Sequence, residues 1–251
     1  MKLHGYFRSS ASYRVRIALN LKGLSAEHLA YHLRKGEQRD PAYLAINPQG
    51  LVPTLQDDQG AILTQSLAII EWLDETRPEP PLLPADPLRR AKVRAFAMVV
   101  ACDTHPVQNL KVLARLRELG LPDEQVTGWA AWANREGLAA CETLIANEPG
   151  PFCFGAAPTL ADLCLVPQLA NARRFGVDLA ACETLIANEP GPFCFGAAPT
   201  LADLCLVPQL ANARRFGVDL AVFPRLLRTE TAAKDLKAFA DAAPDRQPDA
   251  E

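Results

Sequence analysis

The sequence predicts an α/β front half, residues 1–77, followed by an all-helical back half. Strand and helix patterns alternate through the front half in the order β-α-β and then β-β-α. A proline-rich stretch, RPEPPLLP, comes next, and beyond it the apolar residues recur only with helical spacing. Because a proline-rich segment is stiff, we expect a linker over residues 78–87 and a helical domain over residues 88–251.

Caps and alternation predict the first three elements of the front half. Lys2–Phe7 is a candidate strand. The SSAS segment at residues 9–12 offers N-cap side chains to a helix over Tyr13–Lys22, which Gly23 ends. Apolar and polar residues alternate in Glu27–Leu33, and this alternation indicates the second strand.

A hairpin and a helix complete the front half. The DDQG segment at residues 57–60 is a turn signal, flanked by the candidate strands Val52–Leu55 and Ala61–Thr64. Helical spacing of apolar residues predicts a helix over Ser66–Glu75. With Pro53 at the start of the hairpin, this order of elements is the layout of a thioredoxin-like domain.

The back half contains four predicted helices: Arg89–Leu119, Asp123–Asn147, Leu160–Phe175 and Pro224–Ala240. Thr159 and Asp162 have the spacing of a box that caps the start of a helix, because the threonine can accept from the first turn and the carboxylate suits its positive end. Thr200 and Asp203 repeat this pattern.

A tandem repeat lies inside the helical half. Residues Leu138–Asp178, here copy one, recur letter for letter as Leu179–Asp219, here copy two. Solenoid repeats share a pattern but diverge in their letters, so two identical copies indicate a duplication of 41 residues. A close-packed core has room for one copy, and we expect copy one there because it continues directly from the helix that begins at Asp123.

Composition argues against several function classes. The net charge of −3 predicts no broad basic surface for nucleic acid or an anionic membrane. The amino terminus lacks an apolar leader and no apolar run reaches the length of a membrane span, so we expect a cytoplasmic protein. The seven cysteines form no Cys-x-x-Cys pair or cluster with histidine, which argues against a metal site, and none lies in the first hundred residues, which argues against a disulfide oxidoreductase.

Several stretches of the chain resemble one family. They are FRSSASYRVRIAL at residues 7–19, NPQGLVPTL at 47–55, QSLAII at 65–70, ADLCLVPQ at 161–168 and NARRF at 171–175. A thioredoxin-like domain followed by a helical domain is the architecture of a glutathione transferase, and these motifs resemble the zeta class, with its maleylacetoacetate and maleylpyruvate isomerases. The resemblance covers nearly the whole chain, apart from the extra copy.

Ser9 and Ser10 are the candidate catalytic residues. A hydroxyl at a helix start can donate to the glutathione sulfur, and the positive end of the helix also favours the thiolate. The resemblance implies that Ser9 is the main donor and that Ser10 assists; read alone, both residues could be simple N-caps. Ala11 stands where many zeta enzymes have a cysteine, so any role of that thiol is absent here.

The resemblance also implies a glutathione site. Val52 precedes a cis proline, Pro53, and leaves a free backbone edge on which the cysteinyl part of glutathione can pair. Gln65 and Ser66 begin a helix and suit the γ-glutamyl carboxylate. Three more residues match positions that contact glutathione in the family: Gln38, His105 and Asn109. Read without the resemblance, these residues could equally be a strand start, an N-cap and exposed polar groups.

The implied substrate is a dicarboxylate with a cis double bond next to a ketone. Arg174, or its duplicate Arg215, matches the family arginine that faces a substrate carboxylate, and a guanidinium can hold a carboxylate with two parallel bonds. Further candidates are Arg8, Arg14 and Lys111. For any single arginine, the alternative is a solvated helix face.

The activity implied by the resemblance is glutathione-dependent conversion of maleylacetoacetate to fumarylacetoacetate, in aromatic amino acid catabolism, by a homodimer. Two alternatives stay open. The segment Ala11–Tyr13 and the basic Lys111 also suit a maleylpyruvate isomerase. A transferase-like binding protein without turnover is the other.

Overall fold

The computed structural model describes residues 1–148 and 152–177 and divides the chain into two compact units. The first takes in Met1–Leu83, and the second begins at Pro84. The division falls inside the segment expected to be the linker. Within the first unit, the backbone amides of Leu82 and Leu83 donate to the carboxylate of Asp74, which also pairs with the buried Lys22 at 2.6 Å. The start of the linker is thereby held on the first unit.

The first unit is built on a four-stranded mixed sheet. Its elements are β1 (Lys2–Gly5), α1 (Ser10–Leu21), β2 (Glu27–Ala30), a 3₁₀ turn (Glu37–Arg39), α2 (Pro41–Leu44), β3 (Thr54–Gln56), β4 (Ile62–Thr64) and α3 (Ser66–Thr76). The strand order is β2-β1-β3-β4, with β1 and β2 parallel and the other two pairs antiparallel. This arrangement confirms the thioredoxin-like prediction.

The strands are shorter than the sequence pattern predicted. β1 ends at Gly5 because the chain then turns, with the amide of Ser9 donating to the carbonyl of Tyr6 at 3.0 Å. β3 begins at Thr54 and not at Val52, since the Val52–Pro53 peptide is cis and proline has no N–H for the ladder. The alternation of apolar and polar residues does not reveal where these two strands are interrupted.

Helices α1 and α3 contact each other and carry most of the apolar core of the first unit. The fully buried side chains of these helices include Val15, Ala18, Leu19, Ile69, Ile70 and Leu73, and the strands add Leu3 and Leu55. Full burial of one such aliphatic side chain is worth about 1.5–3 kcal/mol. The packed helices therefore give a rigid base to the segments that leave the sheet.

The described part of the second unit is helical apart from its turns. Its elements are α4 (Pro87–Met98), a π-helical segment (Val99–Thr104), a 3₁₀ turn (Pro106–Gln108), α5 (Leu110–Glu118), α6 (Asp123–Ile145) and α7 (Leu160–Arg174). The single helix predicted over Arg89–Leu119 was wrong, because the chain breaks around Pro106 and restarts at Asn109. Proline removes a helical donor, and the Asn109 side chain caps the helix that follows.

Close packing accompanies the break in the second unit. Gly137 of α6 lies against the side chain of Thr104, and a Cβ at this position would overlap the threonine. The Oγ1 of Thr104 donates to the carbonyl of Val99 within the π-helical segment. The sequence pattern of α4 alone carries no sign of this contact between distant segments.

The described part of copy one packs into the helical core, and the expectation that copy two is excluded from this position stays a prediction. Helix α7 of copy one contacts α4, and its buried residues include Leu160, Ala161, Leu163, Cys164 and Val166. The predicted helices over Asp123–Asn147 and Leu160–Phe175 are confirmed to within two residues at their ends. Copy two, with Arg215, and the predicted helix Pro224–Ala240 lie outside the described residues.

Over the stretches 1–148 and 152–177, none of the helices has the length and apolar character that a membrane span requires. In the same stretches, no three His, Cys, Asp or Glu side chains are grouped as metal ligands.

Candidate active site

The register of the sheet brings three candidate segments to one edge of the first unit. His4, near the end of β1, pairs with Thr54 at the start of β3, and Thr54 pairs with Thr64 at the end of β4. The segments that follow β1, precede β3 and follow β4 therefore leave the sheet at the same place. These segments carry Ser9 and Ser10, Val52 and Pro53, and Gln65 and Ser66. We call this place the site edge.

Ser9 is the N-cap of α1. Its backbone is extended and its Oγ accepts a hydrogen bond from the amide of Ser12 at 3.1 Å. This bond occupies an acceptor position of the hydroxyl and leaves its hydrogen able to donate. No acceptor for that hydrogen occurs within residues 1–148 and 152–177. Capping and donation to a sulfur are therefore compatible roles for the same half-buried side chain.

The next residue, Ser10, is the first residue of α1 and is buried. Its Oγ has no hydrogen-bond partner in the described part of the chain. A buried hydroxyl without a partner is costly, so this position gains from any acceptor brought to it. The two serines predicted from the sequence thus lie side by side at the positive end of α1.

Arg16 holds the loop that leads to these serines. Its guanidinium is buried and donates to the carbonyls of Tyr6 and Phe7 at 3.4 and 3.0 Å. It also lies over the ring of Tyr13, 5.4 Å from the ring centroid. Sequence reasoning assigned no role to Arg16, although its position two residues after Arg14 in the first helix was visible.

The Val52–Pro53 peptide is cis, as the resemblance implied. No hydrogen bond of the described residues uses the backbone N–H or carbonyl of Val52, which lies just before the first ladder pair of β3. An extended peptide can therefore pair with this backbone as an added strand.

Gln65 and Ser66 form the start of α3. Gln65 has φ 69°, in the left-handed region that non-glycine residues rarely occupy, and its Nε2 donates to the Oε1 of Gln49 at 2.9 Å. The Oγ of Ser66 accepts from Nη1 of Arg14 at 3.2 Å. A helix start with a serine and a neighbouring guanidinium suits a carboxylate.

Three further predicted residues lie in the first unit. Arg14 is 2% exposed and, in the described structure, holds Ser66; its contact with a substrate stays a prediction. Gln38 lies in the 3₁₀ turn, where its Nε2 donates to the carbonyl of Leu33 at 3.4 Å. The buried Oε1 of Gln38 has no partner in the described part of the chain. Arg8, beside Ser9, is half-buried.

Four predicted residues lie in the described part of the second unit. His105 precedes the 3₁₀ turn, and Asn109 is the N-cap of α5, where its Oδ1 accepts from the amides of Lys111 and Val112 at 3.0 and 3.3 Å. Lys111 and Arg174 are exposed, and Arg174 is the last residue of α7. The amide nitrogen of Asn109 stays available to a ligand, since capping uses its oxygen.

The side chains at the site edge fit a tripeptide thiol. Ser9 offers a donor for sulfur, Val52 offers an unpaired backbone, and the start of α3 offers a site for a carboxylate. The orphaned hydroxyl of Ser10 lies in the same place. Glutathione carries a thiol, a peptide backbone and carboxylates, so its chemistry matches these groups.

Comparison with known proteins agrees with this geometry. Residues 3–81 match the family model of the glutathione S-transferase N-terminal domain. A maleylacetoacetate isomerase from Pseudomonas aeruginosa is 55% identical over 181 residues, which cover 71% of this chain and 84% of that protein.

Two solved structures share the fold over the full length of both chains. One is a maleylacetoacetate isomerase from Methylobacterium extorquens AM1 with bound malonate and GSH, at 38% identity and a TM-score of 0.74. The other is the holo structure of a maleylpyruvate isomerase, a bacterial zeta-class enzyme, at 40% identity and a TM-score of 0.65. The chain therefore belongs to the zeta-class glutathione transferases, the family that includes the maleylacetoacetate isomerases.

Proposed function

We propose that this chain is a glutathione-dependent cis–trans isomerase that converts maleylacetoacetate to fumarylacetoacetate in aromatic amino acid catabolism. The observation that carries the proposal is the convergence of Ser9, Val52 and Ser66 on one edge of the sheet. Glutathione, when bound, supplies a thiolate that adds reversibly to the maleyl double bond, so that rotation about it becomes possible.

Ser9 is the catalytic residue of this proposal. Its hydroxyl hydrogen donates to the sulfur, and the start of α1 adds partial positive charge at the same point. Both effects favour thiolate over thiol. The Ser10 hydroxyl, buried without a partner, provides a second donor from the adjacent position.

Binding of glutathione is divided among several groups. Val52 and Pro53 provide the backbone edge for the cysteinyl residue, while Gln65 and Ser66 hold the γ-glutamyl carboxylate at the start of α3. Gln38, His105 and Asn109 complete the proposed set. Of these three residues, Asn109 can still donate from its amide nitrogen, and Gln38 can still accept at its buried Oε1.

Cationic side chains hold the substrate carboxylates in this proposal. Arg174 is the main candidate, and Arg8, Arg14 and Lys111 are secondary ones; Arg215 takes the role of Arg174 only if copy two occupies the core. The malonate bound in the Methylobacterium relative is itself a small dicarboxylate. A guanidinium bound to a carboxylate also stabilises negative charge that develops beside it during the reaction.

Maleylpyruvate is the second candidate substrate, favoured by the relative of that name at 40% identity. The deciding experiment follows the loss of maleylacetoacetate absorbance with and without glutathione, and compares turnover with that on maleylpyruvate. Higher kcat/KM on maleylpyruvate would reverse the assignment. Capture of the chain on glutathione-agarose without turnover of either compound would leave a binding protein.

We further propose a homodimer, by analogy with the family. The apolar stripe around Phe96 and Val100 could supply contacts between chains or intramolecular core, and both residues are buried in the core of the second unit. Met98, the last residue of α4, is 46% exposed, and Val99, which follows it, is half-buried. These two residues are therefore the remaining candidates for contacts between chains in this stretch. Light scattering at micromolar concentration tests the proposal, and a monomer mass contradicts it.

Two other expectations also stand as proposals. A cytoplasmic location agrees with Cys102 and Cys141, which form no disulfide with another described residue, since reducing compartments keep thiols from forming disulfides. Cell fractionation tests it. The duplication of Leu138–Asp178 as Leu179–Asp219 is proposed to leave only one copy in the core.

A further inference from the structure

The loop between α2 and β3 is anchored by three buried polar side chains. Tyr43 of α2, Asn47 at the start of the loop and Thr54 at the start of β3 are 1%, 2% and 0% exposed. Buried polar groups are costly unless they are hydrogen-bonded, so their arrangement calls for a reason. We call these three residues the loop anchor.

The anchor converges on one backbone atom, the carbonyl oxygen of Leu51. The hydroxyl of Tyr43 donates to it at 2.6 Å and the Nδ2 of Asn47 donates to it at 2.8 Å. Leu51 directly precedes Val52, whose backbone is the free edge of the site. The anchor therefore fixes the peptide group that immediately precedes this edge.

The hydrogens of the anchor have one consistent arrangement. Tyr43 gives its only hydroxyl hydrogen to Leu51, so at the 3.0 Å contact between Tyr43 and Thr54 the threonine must be the donor. The Oγ1 of Thr54 in turn accepts the second Nδ2 hydrogen of Asn47 at 3.2 Å. Burial raises the pKa of Tyr43, which keeps its hydroxyl protonated and able to donate.

The anchor also reaches the start of α3 through the loop. The Oδ1 of Asn47 accepts from the amide of Gln49 at 3.1 Å, and the Oε1 of Gln49 accepts from Nε2 of Gln65 at 2.9 Å. Gly50, with φ 60°, completes the turn, and a Cβ there would lie 2.8 Å from Nη1 of Arg39 and 3.0 Å from the carbonyl of Gln38. Two proposed glutathione-binding segments are thus joined by one chain of hydrogen bonds.

We propose that Tyr43, Asn47 and Thr54 are positioning residues that pre-organise the Val52 backbone for the peptide of glutathione. This inference rests on the proposed function. A backbone held in its bound conformation before binding loses less entropy when the ligand pairs with it, so affinity for glutathione depends on the anchor. The chemistry at Ser9 lies on another loop, which Arg16 holds separately.

The position of the anchor predicts a division between two kinetic constants. Loosening the loop raises KM for glutathione, whereas kcat with saturating glutathione stays within about twofold, because the donor to sulfur is untouched. A role confined to stability would lower the unfolding temperature and leave both constants of the folded protein unchanged.

The test uses the full chain and two variants that each remove one hydroxyl. Thr54→Val keeps the side-chain shape, and Tyr43→Phe keeps the ring. We expect each variant to raise the calorimetric Kd for glutathione about threefold to tenfold, the usual weight of one hydrogen bond. Thr54→Ser retains the hydroxyl and should restore wild-type affinity.

Tyr31→Phe is the matched control. The ring of Tyr31 packs on that of Tyr43 with centroids 4.3 Å apart, but its hydroxyl pairs with Nδ1 of His4 and not with the loop. This variant should leave Kd unchanged. The calorimetric stoichiometry reports the folded fraction, so an unstable variant still returns an affinity.

The possible outcomes distinguish a failure of this inference from a failure of the proposed function on which it rests. Wild-type affinity in both Thr54→Val and Tyr43→Phe overturns the inference, as does an equal loss in Tyr31→Phe. A wild-type chain that binds no glutathione overturns the proposed function itself, and that result is obtained before any variant is made.

Discussion

Two buried polar regions of this molecule are organised in opposite ways. At the start of α7, the carboxylate of Asp162 accepts from the amides of Cys153 and Thr159 at 2.8 and 2.7 Å, and from the Thr159 hydroxyl at 2.9 Å. At the site edge, the buried hydroxyl of Ser10 has no partner in the described chain and the Val52 backbone is unpaired. The first region stabilises the fold, and the second keeps hydrogen-bonding capacity for a ligand.

Hydrogen bonds and the helix end together explain how a buried carboxylate is tolerated at the start of α7. Burial raises the pKa of Asp162, while the hydrogen bonds from Cys153 and Thr159 act in the opposite direction. Because Asp162 lies in the first turn of α7, the helix end favours its charge as well. A closed set of partners is the condition for keeping such a group inside.

The largest expected effect is on stability, through the fully hydrogen-bonded region at the start of α7. Asp162→Ala leaves the buried donors of Cys153 and Thr159 without this acceptor, and we expect the free energy of unfolding to fall by about 3 kcal/mol or more. Thr159→Ala removes one hydroxyl from the box and should cost about 1 kcal/mol. Urea denaturation followed by circular dichroism measures both.

Asp203, the same letter in copy two, is the control for Asp162. If copy one holds the core position, Asp203→Ala changes the free energy of unfolding by less than about 0.5 kcal/mol, as for a surface substitution. An equal loss in Asp203→Ala would show that copy two is packed there.

The second-largest expected effect is on turnover and concerns the site edge. Ser9→Ala should lower kcat about a hundredfold, because one oriented donor to the developing charge is lost, while KM for glutathione changes little. Alanine also removes the N-cap, at about 1 kcal/mol of stability. Ser9→Gly retains most of the capping preference and lacks the hydroxyl, so it separates the two roles. Unchanged turnover in Ser9→Ala would falsify the donor role.

The third effect is smaller and involves the end of copy one. Arg174→Ala should raise KM for the dicarboxylate about tenfold, since a charged hydrogen-bonded contact is lost. Arg173→Ala, at the neighbouring position, and Arg215→Ala, in copy two, are the controls and should leave KM unchanged. Loss of turnover in Arg215→Ala alone would transfer the role to copy two.

The smallest expected effect is a pH dependence of stability that arises from His4, near the end of β1. Burial, and then the charge of Lys2, lower the pKa of His4, while Glu27 opposes this shift. The unfolded chain therefore takes up a proton at His4 before the folded protein does. The stability contributed by neutral His4 is present above pH 6.5 and is lost as the pH falls below it.

Urea midpoints between pH 7.5 and pH 5 measure this dependence. His4→Gln, which can still pair with the hydroxyl of Tyr31, should flatten the acid side of the curve. Parallel curves for His4→Gln and the wild type would remove His4 as the cause.

Local patterns were sufficient for the order of the four strands with α1 and α3, and for the caps. Ser9 and the pair Thr159 and Asp162 act within one helical turn, so residue type and spacing predict them directly. The ends of β1 and β3 and the break at Pro106 were missed, because turns and ladder partners decide where a periodic pattern stops.

The sequence by itself determined the α/β front half, the helical back half, the exact repeat and the candidate residues Ser9, Val52, Gln65 and Ser66. Only the tertiary structure decided that these residues meet at one edge, because strand register brings together positions far apart in the chain. It also decided that Arg14 holds Ser66, 52 residues away, and that Tyr43 and Asn47 both donate to the carbonyl of Leu51. Contacts of this kind depend on packing in three dimensions, which no local spacing of residue types encodes.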